Sequence, residues 1–184
     1  MNQPQQNSST GVRPSMTDPW RVERADEQYA ESISRFSCGD PDADDWIHRN
    51  AISATAAGRA STFLCCVHSE VVGVFTLTMT TVRISTLSSA DRHGEQGDET
   101  PAALICWLAL STSHQKQHLL RPLLCEALLA CVDAATKVPF RFIIIDALTN
   151  DLVDIYQHYG FKRIGLSRRL LMKTSKAKTL LWNR

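Results

Sequence analysis

Two groups of side chains have types that could do chemistry, but neither has the spacing that its chemistry needs. Ser111, Ser113 and His114 place two hydroxyls beside an imidazole, yet no acid is positioned to orient the ring, so a serine–histidine catalyst is not expected. Cys65-Cys66-x-His68 lies in a predicted strand, where adjacent thiols point to opposite faces, and no second ligand pair follows. We therefore predict no metal site. The glycine-rich motifs of P-loop and Rossmann nucleotide sites are also absent from the sequence.

The C-terminal end has the composition of an anion-binding surface. Eight basic residues and no acidic residue lie between Lys162 and Arg184, which leaves 12 basic against all 19 acidic residues in the rest of the chain. The formal net charge of +1 therefore hides an acidic body with a basic end. A nucleic-acid partner would suit this asymmetry. A solvated tail, or an edge strand protected from aggregation by Lys and Arg, would give the same pattern.

Length and composition favour one globular domain in a reducing compartment. The chain has 184 residues, of which 43% are hydrophobic and 21% are charged. No apolar run approaches the roughly 20 residues of a membrane span, and the N-terminus lacks the apolar core of a signal peptide. The six cysteines are therefore interpreted as free thiols. We expect a cytoplasmic protein without a membrane partner.

The N-terminal half is predicted to contain a helical segment and a hairpin. Residues 1–19 are polar and are predicted to be a disordered extension, which leaves 20–184 as a single domain. The segments that follow are a strand over 20–24, helices over 26–57 with a break at 37–41, strands over 60–68 and 71–82, and a long polar loop over 85–100. Asp42 or Asp44 is the expected N-cap of the second helix.

The C-terminal half alternates strands and helices. The order is a strand over 101–110, a helix over 119–135, a strand over 140–148, a helix over 150–159 that ends at Gly160, and strands over 161–165 and 167–174. Strand–helix–strand units give parallel neighbours, so the sheet is predicted to be at least partly parallel. The fold class is therefore α/β (α+β), a mixed six- to seven-stranded sheet flanked by helices, with a basic strand pair and tail at its end.

Several short motifs accompany this order of elements over roughly 20–174. They are Phe36-Ser37-Cys38-Gly39 with Asp45-Trp46-Ile47, Gly58-Arg59-Ala60-Ser61-Thr62-Phe63, Val71-Val72-Gly73, Phe75-Thr76-Leu77, Leu108-Ala109-Leu110, Gln115, Arg121, Leu123-Leu124 and Tyr156-Gln157-His158-Tyr159-Gly160-Phe161. With these motifs the chain resembles the GNAT acetyltransferase fold. The most similar branch is that of the toxin-type acetyltransferases, which pair with ribbon-helix-helix antitoxins.

The resemblance implies an activity, partners and a catalytic residue. Such enzymes transfer acetyl from acetyl-CoA to the α-amine of an aminoacyl-tRNA, block translation and are held inactive by an antitoxin, and a homodimer is expected. Tyr156 stands where these enzymes have a tyrosine that protonates the departing thiolate, and a phenol with a pKa near 10 can donate that proton. The alternative for Tyr156 is a packed aromatic beside Ile155 and Tyr159.

The resemblance also implies an acetyl-CoA site, whose phosphate loop departs from the family pattern. The backbones of Leu108 and Leu110 would pair with pantetheine, and Gln115, Arg121 and Asn150 would line the same site. A helix N-cap is the alternative role for Asn150. Where the family has small residues in the phosphate loop, this chain has His118 and Leu120, and Pro122 has no N–H to offer a phosphate.

The basic end and the altered loop lead to three functional hypotheses. In the first, the acetyltransferase toxin, Arg168, Arg169 and Lys173 on the last predicted strand would face the phosphate backbone of a tRNA. In the second, a pseudo-acetyltransferase has lost acetyl-CoA binding and acts as a nucleic-acid or protein binding module. In the third, an acetyltransferase acts on small amines or protein lysines, and the acids of the 85–100 loop attract the cationic substrate.

Overall fold

Residues 20–182, which the computed structural model describes, are built around a mixed sheet of seven strands. The extension predicted at 1–19 lies outside the described residues. The strands are β1 (Arg21–Arg24), β2 (Ser61–Val67), β3 (Glu70–Arg83), β4 (Glu99–Leu110), β5 (Phe142–Asp146), β6 (Lys162–Arg163) and β7 (Arg169–Lys173). Their order across the sheet is β1-β2-β3-β4-β5-β7-β6. The predicted mixed sheet of six to seven strands is therefore confirmed.

Helices flank both faces of this sheet. They are α1 (Ala30–Arg35), α2 (Pro41–Ala56), α3 (Ser89–Arg92), α4 (Leu120–Lys137), α5 (Asn150–His158) and α6 (Thr174–Trp182). The prediction of a basic tail after the last strand is wrong for residues 174–182, which form α6. Ala177 of α6 is fully buried in the core that α4 also joins. A helix of nine residues is marginal in isolation, so tertiary packing rather than its sequence pattern stabilises it.

Two local predictions in the N-terminal half are wrong. Asp40, and not Asp42 or Asp44, caps α2, because its carboxylate accepts a hydrogen bond from the Ala43 N–H at 2.9 Å. Pro41 then takes the first helical position, where its missing N–H costs nothing. Residues 85–100 are not one continuous loop, since α3 lies within them and β4 begins at Glu99.

The parallel strand pair, β4 and β5, creates the space for a site. Their pairing runs only from Ala102 opposite Phe142 to Ile105 opposite Ile145. The other neighbouring strands are antiparallel. β4 continues five residues beyond its last partner on β5, up to Leu110. The sheet therefore opens between these two strands at the end where α4 begins.

Different helices cover the two faces of the sheet. On one face, Leu124 of α4 is buried in a core that includes Phe75 of β3. On the other face, Ile47 of α2 is buried with Leu64 of β2. Each fully buried side chain of this kind contributes about 1.5–3 kcal/mol, so the two cores hold α2 and α4 firmly against the sheet. Between residues 20 and 182, no helix has the length and apolar character needed to cross a membrane.

Candidate active site

A cavity of about 380 Å³ opens where β4 separates from β5. Its walls come from the diverging ends of these two strands, from the loop before α4, from α5 and from the start of α2. Four of the predicted site residues line it, namely Leu108, Leu110, Gln115 and Tyr156. The structure therefore brings together a bare strand edge, a helix start and a phenol in one place.

The backbone groups of Leu108 and Leu110 point into the gap between the strands. The Ser111 N–H donates to the Val72 carbonyl at 2.9 Å, so Ala109 and Trp107, two and four residues earlier, also bond to β3. The residues between them, Leu108 and Leu110, turn their N–H and C=O groups the other way, beyond the last residue that pairs with β5. This arrangement gives an extended ligand a strand edge to pair with.

Gln115 holds the loop before α4 in place. Its side-chain amide donates to the Cys38 carbonyl at 2.8 Å and to the Leu110 carbonyl at 3.1 Å. Its backbone N–H donates to the Ser111 carbonyl at 3.1 Å. Both side-chain amide protons and the backbone proton of Gln115 already have acceptors. Gln115 therefore fixes the shape of the loop, and other groups must bind an anion there.

The loop between β4 and α4 has the curled backbone of an anion site, although it lacks glycine. Lys116 and His118 lie in the left-handed region, with φ of 62° and 59°. A β-carbon in that region costs about 1–2 kcal/mol, which His tolerates better than most residues. The strain expected at His118 is therefore present. Leu120 is instead the first residue of α4.

The start of α4 keeps donors available for an anion. Leu119, at the N-cap, makes no side-chain cap hydrogen bond, and no acidic residue lies in the first turn. Uncapped N–H groups and the helix dipole together favour a negative charge at this end. Pro122 removes one of those donors. The residues present therefore fit a pyrophosphate, with fewer donors than a glycine-rich loop would provide.

Tyr156 places its phenol at the wall of the cavity. The residue is 3% exposed, and its ring packs against Phe161 with centroids 6.1 Å apart. Burial raises the pKa of Tyr156 to about 12, so the hydroxyl stays protonated at neutral pH. Among residues 20–182, none forms a hydrogen bond with that hydroxyl. The phenol is therefore suited to donate its proton and not to act as a base.

Two predicted cofactor residues lie outside the cavity. Arg121 is exposed and lines a separate groove between α4, α5 and α6. Asn150 is the exposed first residue of α5, and Thr149 is its N-cap, accepting a hydrogen bond from the Leu152 N–H at 3.3 Å. The alternative role of Asn150 as an N-cap is therefore wrong.

The three predicted RNA-binding residues differ in what they contact. Arg169 forms two hydrogen bonds of 2.7 Å with the carboxylate of Asp146. Lys173 lies 3.0 Å from a carboxylate oxygen of Asp91. Arg168 donates to the Leu148 carbonyl and, in the described part of the chain, pairs with no carboxylate. Only Arg168 therefore has an unneutralised charge to offer a phosphate.

The serine–histidine group does not form a catalytic relay. Both the Ser111 and the Ser113 hydroxyls approach Nδ1 of His114, at 2.8 and 2.9 Å. The nearest carboxylate, that of Glu70, lies 4.0 Å from the same nitrogen, whereas a relay needs the acid on the opposite nitrogen. Burial raises the pKa of the Cys65 thiol, which keeps it unreactive. Over residues 20–182, no cluster of three or more His, Cys, Asp or Glu is arranged to hold a metal ion.

Sequence reasoning missed several residues of the cavity wall. Asp146 is the last residue of β5 and Leu148 lies just after it, while Cys106 and Trp107 belong to the splayed part of β4. The indole of Trp107 lies 5.9 Å from that of Trp46 on α2. One signal was available for Asp146, since ligands of α/β sheets bind beyond the carboxyl ends of parallel strands.

The fold is that of the GNAT acetyltransferases. No protein-family model matches the chain. The chain is similar to the tRNA-acetylating toxin of Mycobacterium tuberculosis, with 29% identity over 151 residues that cover 80% of this chain and 90% of the relative. The predicted resemblance to toxin-type GNAT acetyltransferases is therefore confirmed.

This fold occurs in solved structures of other proteins, among them two structures of AtaT. The first is AtaT complexed with acetyl-methionyl-tRNAfMet, with a TM-score of 0.79, 19% identity, and coverage of 87% of this chain and 98% of the other. The second is a tyrosine-to-phenylalanine mutant of AtaT bound to the C-terminus of the antitoxin AtaR and acetyl-CoA. It has a TM-score of 0.70 and 17% identity, and the match covers 90% of this chain and 99% of the other.

Proposed function

We propose that this protein is an acetyltransferase toxin that transfers acetyl from acetyl-CoA to the α-amine of an aminoacyl-tRNA and so blocks translation. The observation that carries the proposal is the cavity between β4 and β5, into which Tyr156 and the bare edge of β4 both face. The similarity to a tRNA-acetylating toxin and to AtaT bound with acetyl-methionyl-tRNAfMet supports it.

The cavity would receive the acetylated pantetheine end of the cosubstrate. When bound, acetyl-CoA supplies the acetyl group as a thioester. The N–H and C=O of Leu108 would pair with the pantetheine amides as a further strand would. The uncapped start of α4 and the left-handed Lys116 and His118 would bind the pyrophosphate. Lys116 also lines the cavity and adds a positive charge.

Tyr156 would supply the proton that the reaction needs. The amine nitrogen bonds to the acetyl carbon, the carbon–sulfur bond breaks, and the sulfur takes the proton from Oη of Tyr156. The amine releases its own proton to solvent, and the phenolate is reprotonated by solvent. A raised pKa keeps Tyr156 protonated until a thiolate forms.

The acceptor end of a tRNA would approach over the β6–β7 side of the cavity mouth. Arg168 donates to the carbonyl of Leu148, and Leu148 lines the cavity, so this guanidinium lies at the rim. Arg163, on the same hairpin, donates to the carbonyls of Leu166 and Ser167 and is exposed. Two exposed guanidinium groups on this hairpin, one of them at the rim, suit the phosphates of an RNA end.

The test is calorimetric titration with acetyl-CoA, followed by mass spectrometry of charged tRNA incubated with protein and acetyl-CoA. We expect binding and an acetylated aminoacyl ester, while Tyr156→Phe should bind acetyl-CoA and yield little product. Binding without acetylation of any aminoacyl-tRNA would overturn the proposed substrate. Deacylated tRNA in the same reaction is the control.

A pseudo-acetyltransferase is the second candidate, because the phosphate loop contains two strained non-glycine residues and Pro122. It predicts no heat of binding with acetyl-CoA and unchanged tRNA affinity in its presence. The third hypothesis is weakened, because Asp91 and Glu95 of the 85–100 segment are paired with lysines or arginine. Asp98 and Glu99 are exposed and are the two acids of this segment that could still attract a cationic amine.

We also propose the assembly and location that this function requires. Residues 20–184 would act as one domain, two copies would form a homodimer, and a ribbon-helix-helix antitoxin would hold the toxin inactive in the cytoplasm. Light scattering behind a sizing column measures the number of chains in the assembly directly. A mass of one chain at micromolar concentration would contradict the dimer.

A further inference from the structure

A second concave surface lies outside the active-site cavity, between α4, the end of α5 and α6. This groove has a volume of about 600 Å³ and is lined by four leucines, of which Leu124 and Leu128 are buried in the core while Leu180 and Leu181 reach the surface. Leu180 is 44% exposed, and Trp182 on the same turn of α6 is 90% exposed. An exposed apolar surface of this kind, rimmed by polar groups, is typical of a site of interaction.

The titratable side chains at the groove are basic, apart from the Cys125 thiol and the Tyr159 phenol. They are Arg121 from the first turn of α4, His158 from the last turn of α5, and Lys176 of α6. Nζ of Lys176 donates to the Gly160 carbonyl at 2.8 Å, which fixes this cation at the wall. No carboxylate belongs to the groove lining found in residues 20–182. The groove is therefore complementary to a segment that is both aliphatic and acidic.

Charge and composition exclude three other occupants of the groove, namely a second copy of the chain, its own N-terminal segment and an RNA. In a symmetric contact between two copies, the basic groups of one groove would face the same basic groups of the other. Residues 1–19 contain one acid, Asp18, and neither leucine nor isoleucine. An RNA would satisfy the cations but would leave the leucines without apolar partners.

We infer that this groove binds the C-terminal segment of the antitoxin, as an acidic, leucine-containing peptide. The inference rests on the proposed toxin function, and AtaT, which shares the fold, is bound to the C-terminus of its antitoxin AtaR. Leucines of the segment fill the groove between α4 and α6, and its carboxylates pair with Lys176 and Arg121. Arg121 also belongs to the first turn of α4. A peptide carboxylate paired with Arg121 therefore neutralises a positive charge near the phosphate-binding end of this helix.

The probe is a fluorescein-labelled peptide of about 14 residues, or four helical turns, with leucine at every third or fourth position and glutamate elsewhere. Fluorescence anisotropy with the full-length protein should show saturable binding. A peptide with lysine in place of glutamate, and a scrambled peptide of the same composition, should bind at least about tenfold more weakly. Equal binding of all three peptides, or no binding of the glutamate peptide, would overturn the inference. So would complete displacement of the glutamate peptide by tRNA, if Leu180→Glu binds the peptide as tightly as the unmodified protein does.

Two variants locate the binding site. Leu180→Glu puts a carboxylate into the groove and should weaken binding of the glutamate peptide at least about tenfold. Val138→Glu adds the same charge at a residue that is 64% exposed and outside the groove, and should bind as the unmodified protein does. Equal affinity of the two variants would show that the peptide binds elsewhere. Circular dichroism confirms that both are folded.

Two further measurements separate this inference from the proposed function. Leu180→Glu should acetylate charged tRNA at the rate of the unmodified protein, because the groove lies outside the cavity. Saturating glutamate peptide should raise the Kd for acetyl-CoA several-fold, and an unchanged Kd would overturn the part played by Arg121. If the unmodified protein acetylates nothing but still binds the glutamate peptide through Leu180, the proposed function fails and the groove assignment stands.

Discussion

Tyr156 and Cys106 line the same cavity, and burial raises the pKa of both side chains, to about 12 and about 11. For Cys106 the nearby Asp146 carboxylate adds to the effect of burial. A coenzyme thiol that entered this cavity would meet the same apolar surroundings, so its pKa would rise in the same direction. Because burial raises both pKa values by about the same amount, the difference in basicity between the phenol and the departing thiolate stays small enough for proton transfer between them.

Removal of the Tyr156 hydroxyl should abolish most of the acetyl transfer without loss of the fold. Tyr156→Phe keeps the ring against Phe161 and removes a hydroxyl that has no partner in the described chain, so stability should stay within about 0.5 kcal/mol. The single-turnover rate should fall about 10²–10⁴-fold, the usual contribution of a general acid. Rapid-quench assays with charged tRNA measure this rate.

The matched control is Tyr159→Phe, which changes a half-buried tyrosine of the same helix end that does not line the cavity. It should acetylate at the rate of the unmodified protein. A similar loss of rate in both variants would assign the effect to packing of α5 and not to proton donation. The Kd for acetyl-CoA, measured by calorimetry, should be the same in all three proteins.

Local pattern predicted those parts of the site that depend on one element at a time. Alternation and apolar runs located β3, β4 and β5, and the motif around Tyr156 placed it on the helix after β5. The pairing of Asp146 with Arg169 depends instead on the register of β5 with β7, which involves residues 23 apart in sequence. Arg121 lies outside the cavity because packing of α4 decides which face each helical residue takes.

A glycine at position 118 should relieve strain in the phosphate loop. His118 has a φ of 59°, where a β-carbon costs about 1–2 kcal/mol and glycine costs almost nothing. His118→Gly should therefore be more stable than His118→Ala by about 1 kcal/mol, after allowance for the greater freedom of glycine in the unfolded chain. Urea unfolding of the two variants measures the difference.

The same pair of variants tests the fit of acetyl-CoA to the loop. Both lack the imidazole, so any difference in the Kd for acetyl-CoA comes from the β-carbon alone. His118→Gly should bind more tightly than His118→Ala, because the loop can adopt the anion-binding conformation without strain. Tighter binding by His118→Ala would mean that the left-handed conformation is not the one that binds the pyrophosphate.

A buried carboxylate, Asp91, should make stability depend on acid pH. It is 2% exposed, and burial alone would raise its pKa, but hydrogen bonds from Ser88, Lys173 and Lys162 outweigh this and lower the pKa to about 2. A lowered pKa in the folded state contributes stability above the unfolded value of 3.8 and loses it as the pH falls towards 2. The contribution at neutral pH is about 2 kcal/mol.

Asp91→Asn should lower the free energy of unfolding by about that amount at pH 7, and the difference from the unmodified protein should shrink between pH 4 and about 2. Asp133→Asn is the control, because Asp133 pairs with Lys137 on an exposed surface and should matter by less than about 1 kcal/mol. Chemical unfolding across this pH range measures both. A constant difference down to pH 2 would show that packing, and not charge, is lost in Asp91→Asn.

Arg168 should account for part of the salt dependence of tRNA binding, because it is the predicted RNA contact that no described carboxylate neutralises. Arg168→Ala should reduce the slope of log affinity against log salt by about 1, and lower the affinity at 0.1 M salt by up to about tenfold. Lys137→Ala is the control, since Lys137 ends α4 about 27 Å from the helix start at the cavity. It should leave the slope unchanged. Equal slopes for Arg168→Ala and the unmodified protein would place the RNA on another surface. If the affinity for tRNA did not depend on salt at all, phosphate contacts would not contribute to binding.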